Sequence, residues 1–152
     1  MKAVVTRVER AAVILRDGAA AGEKRETGRG LLVLLGVGLG DGEESARRLV
    51  EKVLALRIFS NPEGRFDRSV ADERGDILLI SQFTLLASLK GGRRPDFTGA
   101  ARPDLAKPLY ERVAALFAAS GLAVKTGEFG ASMSVESAND GPVTILVDTD
   151  LF

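Results

Sequence analysis

Cysteine and histidine are both absent from the 152 residues, and these two gaps exclude more chemistry than any residue present suggests. Disulfides, thiolate nucleophiles, Cys-containing zinc sites, Ser-His-Asp and Cys-His arrangements and imidazole acid–base catalysis are all ruled out. Any catalysis falls to carboxylates, hydroxyls, lysine, backbone N–H groups or the substrate's own groups. Tryptophan is missing too, and aromatics are 5% of the chain, too few for a surface of stacked bases. Neither sign of charge is in excess. Lys+Arg 21 balance Asp+Glu 21, which argues against a wide phosphate-tracking face and leaves room for a small local one. No apolar run approaches the roughly 18 residues of a membrane span, and Met1-Lys2 leads to Arg7, Glu9 and Arg10 rather than into an apolar signal core. The expectation is a soluble, cytoplasmic protein with no membrane contact.

What is present reads as a single domain over 1–152, with 45% hydrophobic and 28% charged residues, enough to fold without staples. Residues 2–16 alternate as a strand, and Asp17-Gly18 turns the chain into a second, more polar strand. Leu31 to Val37 is continuously apolar and bounded by glycines, as in a strand covered on both faces. Asp41 with Glu44 resembles a capping box opening a helix near 42–57. Asp76 leads into an apolar run through Leu86 that predicts a central strand. A second helix is expected over 103–119 with Leu105, Leu109, Val113, Leu116 and Phe117 inward and Gly121 as its stop. Strands near 122–127, 130–137 and 143–149 follow, the last two joined by a turn at Asn139-Asp140-Gly141-Pro142. The predicted class is α/β: mixed β-sheets with two main helices packed on them.

Four segments could carry chemistry. Ser81-Gln82-Phe83-Thr84 ends a buried strand, where backbone N–H groups form an oxyanion site if the ladder stops there; the alternative is a strand that simply emerges into solvent. Gly141-Pro142 is either a hairpin turn or a cis pair presenting two carbonyl oxygens outward. Lys90, Arg93 and Arg94 stand among glycines, suited to a phosphate or two or to plain solvation. Gly36 to Gly42 lies between a strand and a helix but lacks the spacing of a dinucleotide loop.

Taken together, Ser81-Gln82-Phe83-Thr84-Leu85, Arg93 to Ala100 and Asn139-Asp140-Gly141-Pro142-Val143-Thr144 resemble the D-aminoacyl-tRNA deacylase family. Arg7-Val8, Gly30 to Val37, Leu56-Arg57-Ile58-Phe59 and Phe129 to Met133 match it in order and spacing, so the likeness runs nearly end to end. The resemblance implies a layered α/β/β fold and a homodimeric hydrolase, without cofactor or metal, that cleaves the ester between a D-amino acid or glycine and the terminal adenosine of tRNA. It implies catalytic roles for Ser81, Gln82, Phe83 and Thr84, faced by Gly141 and Pro142 of the partner chain, the pair held cis and the loop fixed by Arg7. Phe129, Gly130 and Met133 match positions that hold the adenosine, and Lys90, Arg93 and Arg94 become candidate tRNA phosphate contacts.

The chain departs from the family pattern at Phe66-Asp67, where Met-Asn is common, and at Ala87 to Lys90, where a more polar run is usual; neither touches the two defining motifs. Without histidine, the favoured chemistry uses the activated ester and the neighbouring ribose 2′-OH, with Thr84 as nucleophile the competing route. Two rivals stand beside this reading: a dimer that binds RNA ends or nucleotides without turnover, and a proofreading hydrolase for misattached L-amino acids.

Overall fold

Strand β1 (Lys2–Leu15) is the spine of the molecule, and the computed structural model describes every residue from 1 to 152. Along one edge β1 pairs antiparallel with β8 (Met133–Asp148) over its whole length. Along the other it pairs with β3 (Gly30–Gly36) through Val8 and then with β2 (Lys24–Thr27). Strand β6 (Asp76–Ser81) lies parallel to β3, and β7 (Val124–Thr126) parallel to β6. Parallel neighbours need crossovers. Helix α1 (Glu43–Ala55) lies within the first and α2 (Pro103–Ala118) forms the second, while β4 (Phe59–Ser60) and β5 (Phe66–Arg68) form a small separate hairpin.

The apolar runs of β3 and β6 are explained by burial on both faces. Val33 and Leu79 pack with Leu49, Val53, Val113 and Phe117 of the helices. Leu32, Leu78 and Ile80 turn the other way, onto Val8, Val13 and Leu15 of β1. Ala3 and Val5 belong to the helix-side core whereas Ala11 and Val13 belong to the opposite one. The register shifts between Thr6 and Val8 and between Val8 and Arg10 re-aim the strand between the two cores. The result is the expected layered α/β/β arrangement.

Four local expectations are corrected. The 76–86 run stops as a strand at Ser81, and Phe83–Leu86 form a 3-10 helix. The partner strand β3 ends at Gly36, so no ladder is offered beyond the bond from Gln82 N–H to Leu35 O, and the chain folds back across that glycine. A Cβ on Gly36 would collide with Leu86 and stand 3.0 Å from the Gln82 carbonyl oxygen. The last two predicted strands are one, because both halves of β8 pair with β1, and Gly141-Pro142 is therefore not a hairpin turn. On α2 the buried stripe is Ala106, Tyr110, Val113 and Phe117, and Leu105 is 56% exposed. Asp41 does not cap α1, whose N-cap is Gly42. Its carboxylate instead accepts hydrogen bonds from the Met1 ammonium at 2.5 Å and from Gly38 N–H at 2.6 Å.

Candidate functional site

Where β6 gives way to the 3-10 helix, a cavity of about 600 Å³ opens. Ser81, Gln82 and Phe83 form one wall, and Phe129 and Gly130 from the β7–β8 connection, with Met133 at the start of β8, form another. Two groups of candidates separated by more than forty residues are thus brought together. Phe83 is 58% exposed and meets Phe97 edge-on with ring centroids 5.0 Å apart. The ladder's end also matters chemically. The first residues of the 3-10 helix, Phe83 and Thr84, have no helical carbonyl behind them to receive their N–H groups.

Thr84 is not in the cavity lining; it is exposed, and its hydroxyl receives a hydrogen bond from the Gln82 amide. No carboxylate or amine lies within hydrogen-bonding distance of that hydroxyl. Tyr110, which the sequence reading missed, lines the cavity; its ring centroid is 5.8 Å from that of Phe129 and its Oη donates to Leu79 O at 2.9 Å. Burial pushes its phenol up to about 12, since an anion there would be deprived of water. It is the one tyrosine of the chain, on an amphipathic helix, and the spacing 106, 110, 113, 117 is the signal that would have found it.

Gly141 and Pro142 do not line this cavity. Thr6 pairs with Thr144 and Val8 with Asn139, so residues 140–143 bulge out of β8 opposite Arg7. Gly141 has φ +117°, both residues are exposed, and their peptide bond is cis, as the resemblance implies. Arg7 is 7% exposed. Its Nη1 donates to Ile58 O at 2.5 Å, and its Nε stands 2.9 Å from Asp140 Oδ2 without the alignment of a hydrogen bond. The guanidinium carbon lies 5.9 Å from the Phe59 ring centroid and 5.6 Å from that of Phe66. The Phe66 departure touches neither of the two defining motifs, but it stands against Arg7, which lies beside the bulge.

Lys90, Arg93 and Arg94 are exposed beyond a bridge in which Ser88 and Asp96 exchange backbone hydrogen bonds of 2.7 and 2.9 Å. None of the three cations is in an ion pair, while Phe97, Ala100 and Ala101 just downstream line the cavity. The Thr98 backbone N–H, assisted by its hydroxyl, holds the Asp96 carboxyl below the usual range. No helix is long and apolar enough to cross a membrane.

Residues 4–148 match the family model described as D-Tyr-tRNA(Tyr) deacylase. A D-aminoacyl-tRNA deacylase of Roseiflexus sp. (strain RS-1) is 50% identical over 152 residues, which is 100% of this chain and 96% of that protein. One from Deinococcus radiodurans is 51% identical over 148 residues, 97% of this chain and 99% of the other. A solved structure named c-Myc DNA Unwinding Element Binding Protein superposes with a TM-score of 0.87 at 39% identity, covering 97% of this chain and 98% of its own. A probable eukaryotic D-amino acid tRNA deacylase, at 19% identity and a TM-score of 0.78 over 96% of this chain and 97% of its own, shares the fold. The family match over residues 4–148 and the near-half identity to deacylases along the whole chain establish that the chain belongs to the D-aminoacyl-tRNA deacylase family.

Proposed function

We propose that the chain works as a homodimer that hydrolyses D-aminoacyl-tRNA, and glycyl-tRNA as well, with the 2′-OH of the terminal ribose assisting the chemistry. The observation that carries this reading is a separation: Ser81, Gln82 and Phe83 share a cavity with Phe129, Gly130 and Met133, whereas Gly141 and Pro142 of the same chain stand outside it. A second subunit completes the pocket by bringing its own Gly141-Pro142 bulge to the first subunit's cavity. The terminal adenosine lies against Phe129, Gly130 and Met133, while Lys90, Arg93 and Arg94 meet acceptor-end phosphates. Arg7 holds the bulge through Asp140.

Chemistry follows from what surrounds the ester. Backbone N–H groups at Phe83 and Thr84 stabilise the developing oxyanion, and the 2′-OH, already adjacent to the carbonyl, orients and activates a water whose oxygen bonds the carbonyl carbon while the ribose ester oxygen leaves and takes up a proton. A threonine nucleophile is the second route, but Thr84 has the Gln82 amide as its hydroxyl's partner and no base to accept its proton. Selection works by exclusion. The carbonyl oxygens of Gly141 and Pro142 occupy the space an L side chain needs, whereas a D side chain points away and glycine has none to reject.

The test is deacylation of matched D- and L-tyrosyl-tRNA by the purified protein, with a 2′-deoxy terminal adenosine and Thr84→Ala as the mechanistic pair. Expected are turnover of D and not L, slow reaction of the 2′-deoxy substrate and retention of most activity in Thr84→Ala. Tight binding of the D-ester without hydrolysis, or equal turnover of L, removes the reading. Loss of several orders of magnitude in Thr84→Ala with normal 2′-deoxy turnover assigns the chemistry to the threonine.

A further inference from the structure

Residues 127–132 join β7 to β8 and carry Phe129 and Gly130 into the cavity wall. Within the segment one backbone hydrogen bond forms, Ala131 N–H to Glu128 O at 3.2 Å. Its other anchors come from distant parts of the chain. Gly127 N–H donates to Leu79 O at 3.0 Å. The remaining anchors lie on the connection between β1 and β2 and on β2 itself. Ala19 and Ala20 N–H donate to the two carboxylate oxygens of Glu128 at 3.1 and 3.3 Å. Ser132 N–H donates to Asp17 Oδ1 at 2.7 Å, and Ser132 O accepts from Arg16 N–H at 2.8 Å. Arg25 Nη1 donates to the carbonyl oxygen of Thr126, the last residue of β7, at 2.7 Å and to Gly127 O at 3.5 Å. Gly18, at φ +87°, lets this contact close, since a Cβ there would stand 2.7 Å from Glu128 Oε1.

A loop with little hydrogen bonding of its own takes its position from whatever grips it. We infer that the 16–20 turn is part of the substrate-binding apparatus, with Asp17 and Glu128 as positioning residues that set Phe129 and Gly130 for the tRNA terminus. The inference rests on the reading of Phe129, Gly130 and Met133 as the adenosine wall. Neither carboxylate enters the cavity lining, so both act through the wall and not on substrate. Binding is made equally in ground and transition states by such a wall. Loosening it therefore raises KM and leaves kcat close to its starting value.

The experiment compares Asp17→Ala, Glu128→Ala and their double variant with Asp17→Asn and Phe129→Ala, in steady-state hydrolysis of D-tyrosyl-tRNA by the full-length protein. Amide hydrogen exchange over 127–133 and thermal midpoints are recorded alongside. Expected is a KM about 3- to 10-fold higher in the double variant with kcat within about twofold, and faster exchange at 128–132. Asp17→Asn keeps the acceptor oxygen and should restore KM. Unchanged exchange in the double variant overturns the grip itself. Faster exchange with KM unchanged, while Phe129→Ala raises KM, overturns the inference and leaves the adenosine wall standing. If Phe129→Ala also leaves KM unchanged, the adenosine reading has failed and takes the inference with it. A fall in kcat and thermal midpoint at constant KM marks the carboxylates as structural only.

Discussion

Arg7 reaches from β1 to Asp140, its Nε 2.9 Å from a carboxylate oxygen within the bulge that carries Gly141 and Pro142. The arginine side chain is 8% exposed and the aspartate 30%. Removing the partner of a buried charge costs about 3–5 kcal/mol, and partial solvation of Asp140 lowers that here to roughly 1–3 kcal/mol. Asp140→Ala should show this loss in urea denaturation. Arg7→Lys keeps the charge but not the planar fork that meets Ile58 O and Asp140 together. Its kcat/KM on D-tyrosyl-tRNA should fall about tenfold, with the thermal midpoint recorded to separate local from global damage.

Phe66 supplies a second ring face to the same guanidinium, at a position where the family pattern commonly has Met. Cation–π contacts at partly exposed sites are worth about 0.5–1 kcal/mol. A double-mutant cycle with Arg7→Ala and Phe66→Ala should return a coupling of that size. A coupling near zero means that Phe66 lends Arg7 nothing beyond what the Phe59 ring and the Ile58 carbonyl supply.

These relationships divide into those the sequence announces and those it hides. Strands β1, β3 and β6 and both helices were legible, because period and apolar run length report burial directly. The end of β6 at Ser81 was not, since it depends on where β3 stops, and Leu85-Leu86 is as apolar as a strand. Continuity of β8 through Gly141-Pro142 was hidden for the same reason: a strand partner sets it, while local turn chemistry argues for a hairpin. On α2 most of the inward face was found, with Val113 and Phe117 buried and Leu109 and Leu116 packed on the core, but Leu105 is exposed and Ala106 and Tyr110 were missed. At the site, the Ser81 to Thr84 segment was singled out from its own residues, the Phe129 to Met133 segment was named through resemblance, and Asp17 and Glu128 were missed. A carboxylate in a polar turn carries the same signal whether it faces water or a backbone N–H more than one hundred residues away.

Tyr110 gives the fold a dependence on alkaline pH. Its phenol titrates near 12 in the folded protein and near 10 in an unfolded chain. Below pH 10 both states hold the proton and the stabilisation is complete. As pH rises from about 10 to about 12 the unfolded chain ionises first, and up to about 3 kcal/mol is lost. Tyr110→Phe forfeits the bond to Leu79 O but has no proton to lose, and Leu79 O still accepts from Gly127 N–H. Urea midpoints of the two proteins should therefore converge between pH 9 and 12. Parallel curves across that window would contradict the assignment.

The unpaired cations of the 90–94 loop predict a shallow salt dependence. Three contacts to a single-stranded acceptor end give a log–log slope of about −2 at roughly −0.7 per phosphate. Arg93→Gln should reduce its magnitude by about 0.7. Filter binding of a non-hydrolysable aminoacyl-tRNA analogue between 50 and 300 mM salt, in about five steps, reads both slopes. A slope steeper than about −6 would require a phosphate-tracking surface that the balanced charge of this chain does not suggest.

Gly141 offers the most local test of the bulge. Its φ of +117° lies where an L side chain is strained, and a Cβ would stand 2.7 Å from Val143 Cγ2, 3.0 Å from Val143 N and 3.2 Å from Arg7 Nη2. The backbone contact cannot be relieved by a rotamer change, so residues 140–143 must shift or the Arg7 guanidinium must yield. Either response disturbs the element proposed to enter the partner's cavity. Gly141→Ala should therefore lose at least about tenfold in kcat/KM on D-tyrosyl-tRNA at a stability cost of roughly 1–3 kcal/mol. Gly40→Ala is the control, because that glycine has no positive φ and nothing within 4 Å of an added Cβ. Sedimentation of both variants decides whether the loss arises in a dimer that still assembles. Wild-type turnover in Gly141→Ala, with the dimer intact, would mean that the bulge tolerates displacement and that chiral selection resides elsewhere in the pocket.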